Sequence, residues 1–389
     1  MRHLPGGRGG SRIRKIVSLK SGVRVTQYME EIKRQGGEVI EHLPLINALL
    51  CEFPLHKGEV AGILESHPHV VRVEDDLPIK IIYTEPLFFF RRGTMPPQTK
   101  QQVGWGVKRI GGEVYLNVKP RKRLRVAIMD TGIMTKHPDL KGNVASGINI
   151  TGTGSDILDP NGHGTHVAGI IGALNNEIGI VGVMPEVDLY AVKVFDSRGD
   201  GSLSNIIRGL QWCINQGIKV VNMSFGSATD NDTFREVFKA AERAGIIMVA
   251  AAGNDQTKHQ IQYPAVYTET IAVSSLNELN SLSNFSSYGP EIDLIAPGEQ
   301  ILSTWNNGSY KTLSGTSMAA PHVSGVILQV LNKWGNMSPA QIKRHLKNTA
   351  QRLPIKDEYQ GAGLIDLAKA LSINPRMTQS IRSIRRVVL

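Results

Sequence analysis

The region after residue 123 alternates short, almost continuously apolar segments with longer segments in which apolar residues recur at helical spacing. The first kind predicts β-strands buried on both faces, and the second kind predicts amphipathic helices. Six strands are predicted, at residues 124–129, 187–194, 219–223, 246–251, 270–273 and 292–295. Six helices are predicted, at residues 163–174, 203–216, 234–244, 317–334, 338–348 and 364–371. This alternation predicts an α/β fold with a doubly wound, mostly parallel sheet.

Residues 14–83 follow a different order of elements, β-α-β-β-α-β. The strands are predicted at residues 15–20, 38–42, 48–53 and 70–74, and the helices at residues 25–35 and 59–66. This order predicts a small α+β domain of the ferredoxin-like type, which contains a split βαβ unit. Such a fold does not identify a function, because it serves many unrelated ones.

Breaks in these patterns divide the chain into five regions. Pro86, Pro96 and Pro97 interrupt the periodicity between the two folded regions. The predicted regions are a disordered basic N-terminus at 1–13, the small domain at 14–83, a linker or N-terminal extension at 84–100, the α/β domain at 101–371 and a basic C-terminal tail at 372–389.

The chain has 389 residues and a net charge of +10, which would suit an acidic partner. Much of the excess positive charge lies in the two terminal regions, where no aromatic residues are interleaved with the basic ones. We therefore interpret the tails as solvated, and we expect no nucleic-acid partner.

The cysteines, the apolar runs and the first residues of the sequence lead to expectations about disulfides, membrane association and compartment. Cys51 and Cys213 lie in different predicted domains, so no disulfide is expected. No apolar run approaches the length of a membrane span, so no membrane association is expected. The first residues lack an apolar h-region, so the chain as written is expected to be cytoplasmic, and secreted if its natural start lies upstream. A monomer is expected.

The candidate nucleophile lies in a run of small residues, 315–322, that leads directly into an apolar helix. Ser317 is placed at the start of that helix, where backbone N–H groups lack intrahelical partners and the helix dipole favours negative charge. This position suits a hydroxyl beside an oxyanion site. The hydroxyl nevertheless needs a base to remove its proton.

The candidate partners of Ser317 lie at the ends of predicted elements. Asp130, Ser224 and Asn254 each follow a strand. His163 lies among glycines where a helix begins. Sites in parallel sheets form at the carboxyl ends of strands, so these side chains are expected to converge. Each residue alone would more often be a turn or capping residue, and only their combination indicates catalysis.

Four segments resemble, in sequence and in order, the motifs of the subtilisin-like serine peptidases. They are Asp-Thr-Gly at 130–132, His-Gly-Thr-His-Val-Ala-Gly at 163–169, Ala-Gly-Asn at 252–254 and Gly-Thr-Ser-Met-Ala-Ala-Pro at 315–321. The order Asp, His, Ser is also that of this family. The resemblance extends over residues 101–371.

The resemblance implies the catalytic roles. Ser317 would attack the scissile carbonyl, His163 would transfer the proton and Asp130 would orient the imidazole. The backbone N–H of Ser317 and the side-chain amide of Asn254 would form the oxyanion hole. His166 lies in one of the same motifs but is given no role in proton transfer.

The resemblance also implies the residues that bind substrate. Gly199, Asp200 and Gly201 would pair with an extended peptide as an edge strand. The walls of the first specificity pocket would be formed by Ser224, Phe225, Gly226, Ala251, Ala252 and Gly253. These walls contain no carboxylate, so a strict preference for Arg or Lys is not expected. Gln262, where many relatives have Gly, is predicted at the pocket floor, and the bond from Tyr263 to Pro264 is a candidate cis bond.

A structural Ca²⁺ is the cofactor that the resemblance implies. Residues 174–180 resemble the calcium loop of the family, and this ion takes several oxygen ligands at once. The predicted ligand residues are Gln101, Asp139, Leu174, Asn176, Ile178 and Ile180. The alternative is a glycine-containing turn that binds no ion.

The small domain resembles the inhibitor-type propeptide of secreted subtilisins, which folds with the catalytic domain and leaves its C-terminal tail in the cleft. That tail would be residues 77–83, with self-cleavage near Ile82, Tyr83 or Thr84. Cleavage near Arg92, in an extension that short family members lack, is an alternative. A permanently attached regulatory domain is another.

These inferences together predict a calcium-stabilised serine endopeptidase of broad specificity that acts on proteins or peptides. It would be made as a self-processing zymogen, with its own propeptide as an intramolecular inhibitor. The alternative is a non-catalytic regulatory protein that kept the scaffold. The presence of every predicted catalytic residue argues against that alternative, because such proteins normally lose one of them.

Overall fold

A computed structural model describes residues 12–23, 25–54, 60–82, 100–152, 154–256 and 260–376 of the chain. The candidate cleavage positions Tyr83, Thr84 and Arg92 lie outside the described residues. The prediction that residues 1–13 are disordered is wrong for the last two of these residues. Arg12 and Ile13 belong to the first strand, because they pair with Pro54 and Phe53 across the sheet.

The N-terminal domain is a four-stranded antiparallel sheet packed with two helices. Its elements are β1 (Arg12–Leu19), α1 (Val25–Arg34), β2 (Glu38–Leu43), β3 (Ala48–Pro54), α2 (Val60–Glu65) and β4 (Val70–Asp75). The strand order is β2-β3-β1-β4, which matches the predicted split βαβ arrangement. Val17, Ile32 and Phe53 lie in the small apolar core between sheet and helices.

The α/β domain follows a short strand that leaves the N-terminal domain. That short strand is β5 (Pro78–Ile81). The next elements along the chain are α3 (Trp105–Arg109), β6 (Leu124–Asp130), β7 (Val144–Asn149), α4 (His163–Gly172), β8 (Val187–Lys193), β9 (Asp200–Ser202), α5 (Leu203–Asn215), β10 (Val220–Met223) and β11 (Phe225–Gly226). The remaining elements are α6 (Asp232–Arg243), β12 (Ile247–Ala251), β13 (Thr270–Leu276), β14 (Leu294–Pro297), β15 (Ile301–Thr304), β16 (Tyr310–Leu313), α7 (Thr316–Trp334), α8 (Pro339–Thr349), α9 (Asp357–Gln360) and α10 (Leu367–Ser372).

Seven parallel strands form the central sheet, in the order β14-β13-β12-β10-β6-β8-β7. Alternate residues of one strand enter different cores. In β6, Val126 and Ile128 belong to the apolar core that includes α4 and α7, whereas Ala127 and Met129 belong to the core that includes α5 and α6. The sheet is therefore buried on both faces, which explains the continuous apolar strands. The predicted doubly wound α/β fold is confirmed.

Two differences from the predicted elements have a physical reason. The edge strand β7 was missed because its residues are half-buried or exposed and form no apolar run. The helix predicted at 364–371 begins at Leu367, because Leu364 instead exchanges backbone hydrogen bonds with Gln351. Of the helices that the structure describes, none has both the length and the apolar surface to cross a bilayer.

The N-terminal domain contacts the α/β domain at the first turns of α5 and α6. The Asp76 carboxylate accepts hydrogen bonds from Ser204 N at 2.7 Å and Ser204 Oγ at 2.8 Å. The Glu74 carboxylate accepts hydrogen bonds from the backbone N–H groups of Asp232 at 3.1 Å and Thr233 at 2.7 Å. Two acidic side chains of one domain therefore cap two helices of the other, at the ends where the helix dipole favours negative charge.

Replacing both Glu74 and Asp76 by Ala removes these caps and leaves both cores intact. We expect the free energy of unfolding of the intact chain to fall by about 1–4 kcal/mol, since a lost cap costs about 0.5–2 kcal/mol. Chemical denaturation measures this change. The matched control is Glu30→Ala, because the hydrogen-bond partner of Glu30 among the described residues is Lys33, on the exposed surface of α1. Equal stability of the double variant and the control would contradict the capping.

Candidate active site

A carboxylate and an imidazole meet where β6 ends and α4 begins. Asp130 is the last residue of β6, and His163 is the first residue of α4. The two side chains are buried, and His163 Nδ1 lies 2.8 Å from Asp130 Oδ1 and 2.9 Å from Oδ2. Because a carboxylate accepts hydrogen bonds, this contact places the proton of the neutral ring on Nδ1. The other ring nitrogen, Nε2, is then the basic one.

The close approach of these two segments requires glycine. A Cβ atom on Gly164 would lie 2.2 Å from the carbonyl oxygen of Gly132 and 3.1 Å from Cβ of Asp130. Gly132 itself has a φ of 117°, a backbone conformation that favours glycine. The glycines beside the Asp and His motifs therefore allow the two side chains to meet.

Ser317 lies near the start of α7, after the N-cap residue Gly315. Its hydroxyl is buried and bonds to the carbonyl oxygen of Ile82, and it also lies 3.0 Å from the carbonyl oxygen of Ser224. The Ser224 side chain in turn donates to the backbone carbonyl of Ser317 at 2.9 Å. Ser317 therefore lies directly against the main chain of residue 82.

Asn254 follows β12 and faces the first residue of α7. Its Oδ1 accepts hydrogen bonds from Thr316 N and Thr316 Oγ1, both at 2.9 Å. Since a backbone N–H can only donate, these bonds fix which side of the amide carries the oxygen. The Nδ2 group is buried and has no hydrogen-bond partner among the described residues. An unsatisfied donor is thus held beside the helix N-terminus that carries Ser317.

Strand β5 lies between β9 and β11 in a three-stranded antiparallel sheet. On one side Ile79 pairs with Gly201 and Lys80 with Asp200, and Ile81 N donates to Gly199 O at 3.2 Å. On the other side the partners of β5 are Phe225 and Gly226, and Ile82 N donates to Ser224 O at 3.3 Å. The segment predicted to pair with an extended peptide, 199–201, and one predicted wall of the specificity pocket, 224–226, therefore hold a segment of the chain itself.

The side chain of Ile82 is almost fully buried beside Gln262. A Cβ on Gly226 would lie 2.6 Å from Ile82 Cδ1 and 2.3 Å from Gln262 Oε1, and a Cβ on Gly253 would lie 3.0 Å from Gln262 Cγ. Gln262 therefore lies between the two glycines, with Nε2 donating to Asp255 Oδ2 at 2.6 Å. Gln262 also contacts the main chain of the second predicted pocket wall, 251–253. Its backbone N–H donates to Ala252 O at 2.9 Å, and Ala252 follows the buried Ala251.

Comparison with known proteins identifies the family. The sequence model of a protein family, described as the Subtilase family, matches residues 121–363, which contain Asp130, His163, Asn254 and Ser317. The chain belongs to the subtilase family. It is 42% identical over 355 residues to M-protease from Shouchella clausii, covering 91% of this chain and 86% of that protein. This subtilase is a subtilisin-like serine endopeptidase.

Two further relatives show how far along the chain the similarity extends. Subtilisin Savinase from Lederbergia lenta is 42% identical over 271 residues, which cover 69% of this chain and 99% of that protein. Thermostable alkaline protease from Halalkalibacterium halodurans is 38% identical over 330 residues, which cover 85% of this chain and 84% of that protein. The second alignment is longer than the α/β domain of this subtilase.

The predicted calcium ligands of this subtilase surround one side chain. Gln101 Nε2 lies near four oxygen atoms, at distances of 2.8 Å from Leu174 O, 3.5 Å from Asn176 Oδ1, 3.3 Å from Ile178 O and 3.3 Å from Ile180 O. Asp139 is adjacent, because its Oδ1 lies 3.2 Å from Asn176 Nδ2. All six residues are thus brought together around a point rich in oxygen.

This set of donors fits a hard cation. Within the described ranges, no group of three or more His, Cys, Asp or Glu side chains could hold a metal ion. A bound ion would therefore need carbonyl and amide ligands such as these, which are the ones that Ca²⁺ prefers. A rotation of the terminal amide of Gln101 would add a fifth oxygen to the four that already converge.

Two other histidines of the motifs have structural partners. His166 Nε2 lies 2.9 Å from Lys311 O, and His322 Nδ1 lies 2.8 Å from Met318 O. Burial lowers the pKa of His166 to about 3 and that of His322 to about 4. Both rings are therefore neutral near pH 7 and join segments of the fold.

Two residues of the site were missed in the sequence. Asp159 is buried four residues before His163, and Asp255 directly follows Asn254. The signal for Asp159 was present, since an Asp shortly before the glycines of a helix start is a typical cap. The contact of Asp255 with Gln262 had no such signal, because no local pattern links two residues seven positions apart outside a helix or strand.

Proposed function

We propose that this subtilase hydrolyses peptide bonds through Asp130, His163 and Ser317, with broad specificity for proteins and peptides. One observation carries the proposal. The Ser317 hydroxyl bonds to the carbonyl oxygen of Ile82, the residue after a strand that is paired on both sides in the cleft. This contact holds a candidate nucleophile against a peptide carbonyl group, and such proximity is the first requirement of acyl transfer.

The proposed reaction begins when Ser317 Oγ attacks the carbonyl carbon and His163 Nε2 takes its proton. Asp130 keeps the Nδ1 proton in place and stabilises the imidazolium that forms, and this imidazolium then protonates the leaving amine. Asn254 Nδ2 and the backbone N–H of Ser317 would stabilise the oxyanion. Loss of the corresponding Asn donor lowers kcat about 10²–10³-fold in subtilisin itself, the system in which that magnitude was measured.

We further propose that residues 14–83 are an inhibitory propeptide of a monomeric zymogen. The support is the position of β5, which fills the peptide-binding edge and presents its following carbonyl to Ser317. The bond from Ile82 to Tyr83 is then the first one that the enzyme cleaves. The caps that Glu74 and Asp76 provide would hold the domain in place after cleavage.

The variant Ser317→Ala tests both the nucleophile and self-processing. We expect it to accumulate as a folded chain of full mass, because no other hydroxyl contacts the Ile82 carbonyl among the described residues. Mass spectrometry and N-terminal sequencing of the purified protein measure this, and the wild-type product should begin at Tyr83.

A matched control for this test is Ser324→Ala. Ser324 is also buried in α7, but its hydroxyl donates to Asn222 Oδ1 and not to the cleft. This control should still process itself. Cleavage at residue 82 in the Ser317→Ala variant would show that the nucleophile is misassigned.

We propose that Gln262 restricts the first specificity pocket to side chains of medium size. Gln262 occupies the space between Gly226 and Gly253, and its bond to Asp255 uses the carboxylate that could otherwise attract a basic side chain. Ile82 supports this proposal, because its aliphatic, β-branched side chain is buried beside Gly226. Aliphatic residues are therefore the expected preference, without strict selection for Arg or Lys.

The variant Gln262→Gly should enlarge this pocket. We expect kcat/KM for a peptide with Phe before the scissile bond to rise roughly tenfold relative to the matching Ile peptide, the order of effect that pocket volume supplies. A pair of fluorogenic peptides measures the ratio. The control is Gln260→Gly, because Gln260 is exposed two residues away. An unchanged ratio in the Gln262→Gly variant would show that Gln262 does not line the pocket.

We propose that the oxygen cluster around Gln101 binds one structural Ca²⁺. The ligands would be the six predicted residues, with Asp139 supplying the carboxylate and Leu174, Ile178 and Ile180 supplying carbonyl oxygens. Bound calcium would stabilise the native state, because the unfolded chain cannot assemble these ligands.

Chelation tests this site in the inactive Ser317→Ala protein, in which self-digestion does not interfere. We expect EDTA to lower the melting temperature by about 5 °C or more, since saturating ligand adds roughly 3 kcal/mol. The variant Asn176→Ala should show a smaller shift, because it loses one oxygen of the cluster. Equal melting temperatures with and without EDTA would refute the site.

A further inference from the structure

The carboxylate of Asp159 is 5% exposed and accepts five hydrogen bonds from the segments that carry Asp130 and His163. Its Oδ1 accepts from Thr131 Oγ1 at 2.8 Å, Asn161 N at 3.1 Å and Gly162 N at 2.8 Å. Its Oδ2 accepts from Thr165 N at 2.8 Å and Thr165 Oγ1 at 2.7 Å. Burial raises the pKa of the Asp159 carboxyl, and the hydrogen bonds from Gly162, Thr165 and Thr131 act in the opposite direction. All five groups act as donors, and a carboxylate accepts from more of them than a protonated carboxyl does, which favours the ionised form.

The two threonine hydroxyls cross-link the catalytic segments. Thr131 follows Asp130, and its oxygen accepts a hydrogen bond from Gly164 N at 3.0 Å in the histidine segment. Thr165 follows His163 by two residues, and its oxygen accepts from Met134 N at 3.0 Å in the aspartate segment. The Thr131 hydroxyl has two acceptors, Asp159 Oδ1 at 2.8 Å and Asp130 Oδ1 at 3.2 Å, and the shorter contact is the one to Asp159. Asp159 therefore receives both hydroxyl protons and leaves both hydroxyl oxygens free to accept these backbone bonds.

We propose that Asp159 is a positioning residue for catalysis, which holds Asp130 and His163 in register through Thr131 and Thr165. The inference rests on the proposed catalytic roles of Asp130 and His163. The carboxylate does not touch substrate. It sets the direction of two hydroxyl protons, and these fix the distance between the end of β6 and the start of α4.

Asp159 also places a negative charge at the N-terminus of α4, close to the imidazole of His163. The helix dipole at this end opposes a positive charge on the ring, and the carboxylate offsets that effect. In the described part of the chain, the other charged or titratable groups around this segment include Asp130 from β6, Asp156 from the same loop, Lys193 from β8, Lys311 from β16 and His166 on α4 itself. Lys193 bonds to the carbonyl of Leu158 at 2.7 Å, so the segment before Asp159 is fixed as well.

The test compares Asp159→Asn with the processed wild-type enzyme. An amide cannot accept all five bonds, so at least one threonine bridge is lost. We expect kcat to fall on the order of 10²-fold with little change in KM, as a misplacement of about 1 Å between catalytic groups does. The acid limb of the kcat/KM profile should move to lower pH, because removal of a nearby negative charge disfavours the imidazolium.

The matched control is Asp293→Asn. Asp293 is equally buried and accepts bonds from Lys347 at 2.8 Å and from Ala272 N at 3.1 Å, but it lies at β14, away from the catalytic pair. This control should lose stability and keep both kcat and the acid limb. If Asp159→Asn behaves in the same way, Asp159 only stabilises the fold and the proposal is wrong.

A second pair of variants covers the case in which Asp159→Asn does not fold. Thr131→Val removes one bridge and keeps the carboxylate and its cap of α4. It should lower kcat without moving the acid limb, and Thr131→Ser should recover most of the loss. Wild-type kcat in Thr131→Val would overturn the proposal. If the proposed catalytic roles themselves are wrong, the Ser317→Ala variant will keep its peptidase activity. That result distinguishes this outcome from failure of the Asp159 proposal.

Discussion

The cleft of this subtilase depends on the direct contact between one carboxylate and one imidazole. Asp130 and His163 lie 33 residues apart in the chain, and hydrogen bonds of 2.8 and 2.9 Å join them at the carboxyl edge of the sheet. The contact exists because Gly164 has no side chain that would strike Gly132. Ser317 comes from α7 and Asn254 from the end of β12, and Thr316 joins them because the Asn254 side chain accepts two of its hydrogen bonds.

Buried acidic groups hold the loops around that contact. Asp130, Asp139 and Asp159 are almost fully buried, and a buried carboxylate is costly unless donors surround it. Asp159 has five donors, and Asp139 accepts from Ile180 N at 2.9 Å and from the Tyr310 hydroxyl at 2.8 Å. The carboxylates of Asp139 and Asp159 are therefore satisfied by backbone N–H and hydroxyl groups of the loops, which ties the stability of the loops to the geometry of the site.

The N-terminal domain completes a surface that the α/β domain leaves open. Strand β11 has two residues and β9 has three, which is too short for a stable sheet of their own. Strand β5 pairs with both through backbone hydrogen bonds. These contacts use backbone groups, whereas the acidic caps on α5 and α6 are contacts of particular side chains of this domain.

The sequence by itself determined the order of the elements, the doubly wound sheet and the residues of the four motifs, because these depend on local periodicity and on short runs of residues. It did not reveal the edge strand β7, whose residues lack an apolar pattern, or the helix start at Leu367, which a distant bond to Gln351 sets. The tertiary structure alone brought Gln262 between two glycines and Asp159 against Thr131 and Thr165. Contacts between residues far apart in the chain leave no periodic trace in it, so only the folded arrangement decides them.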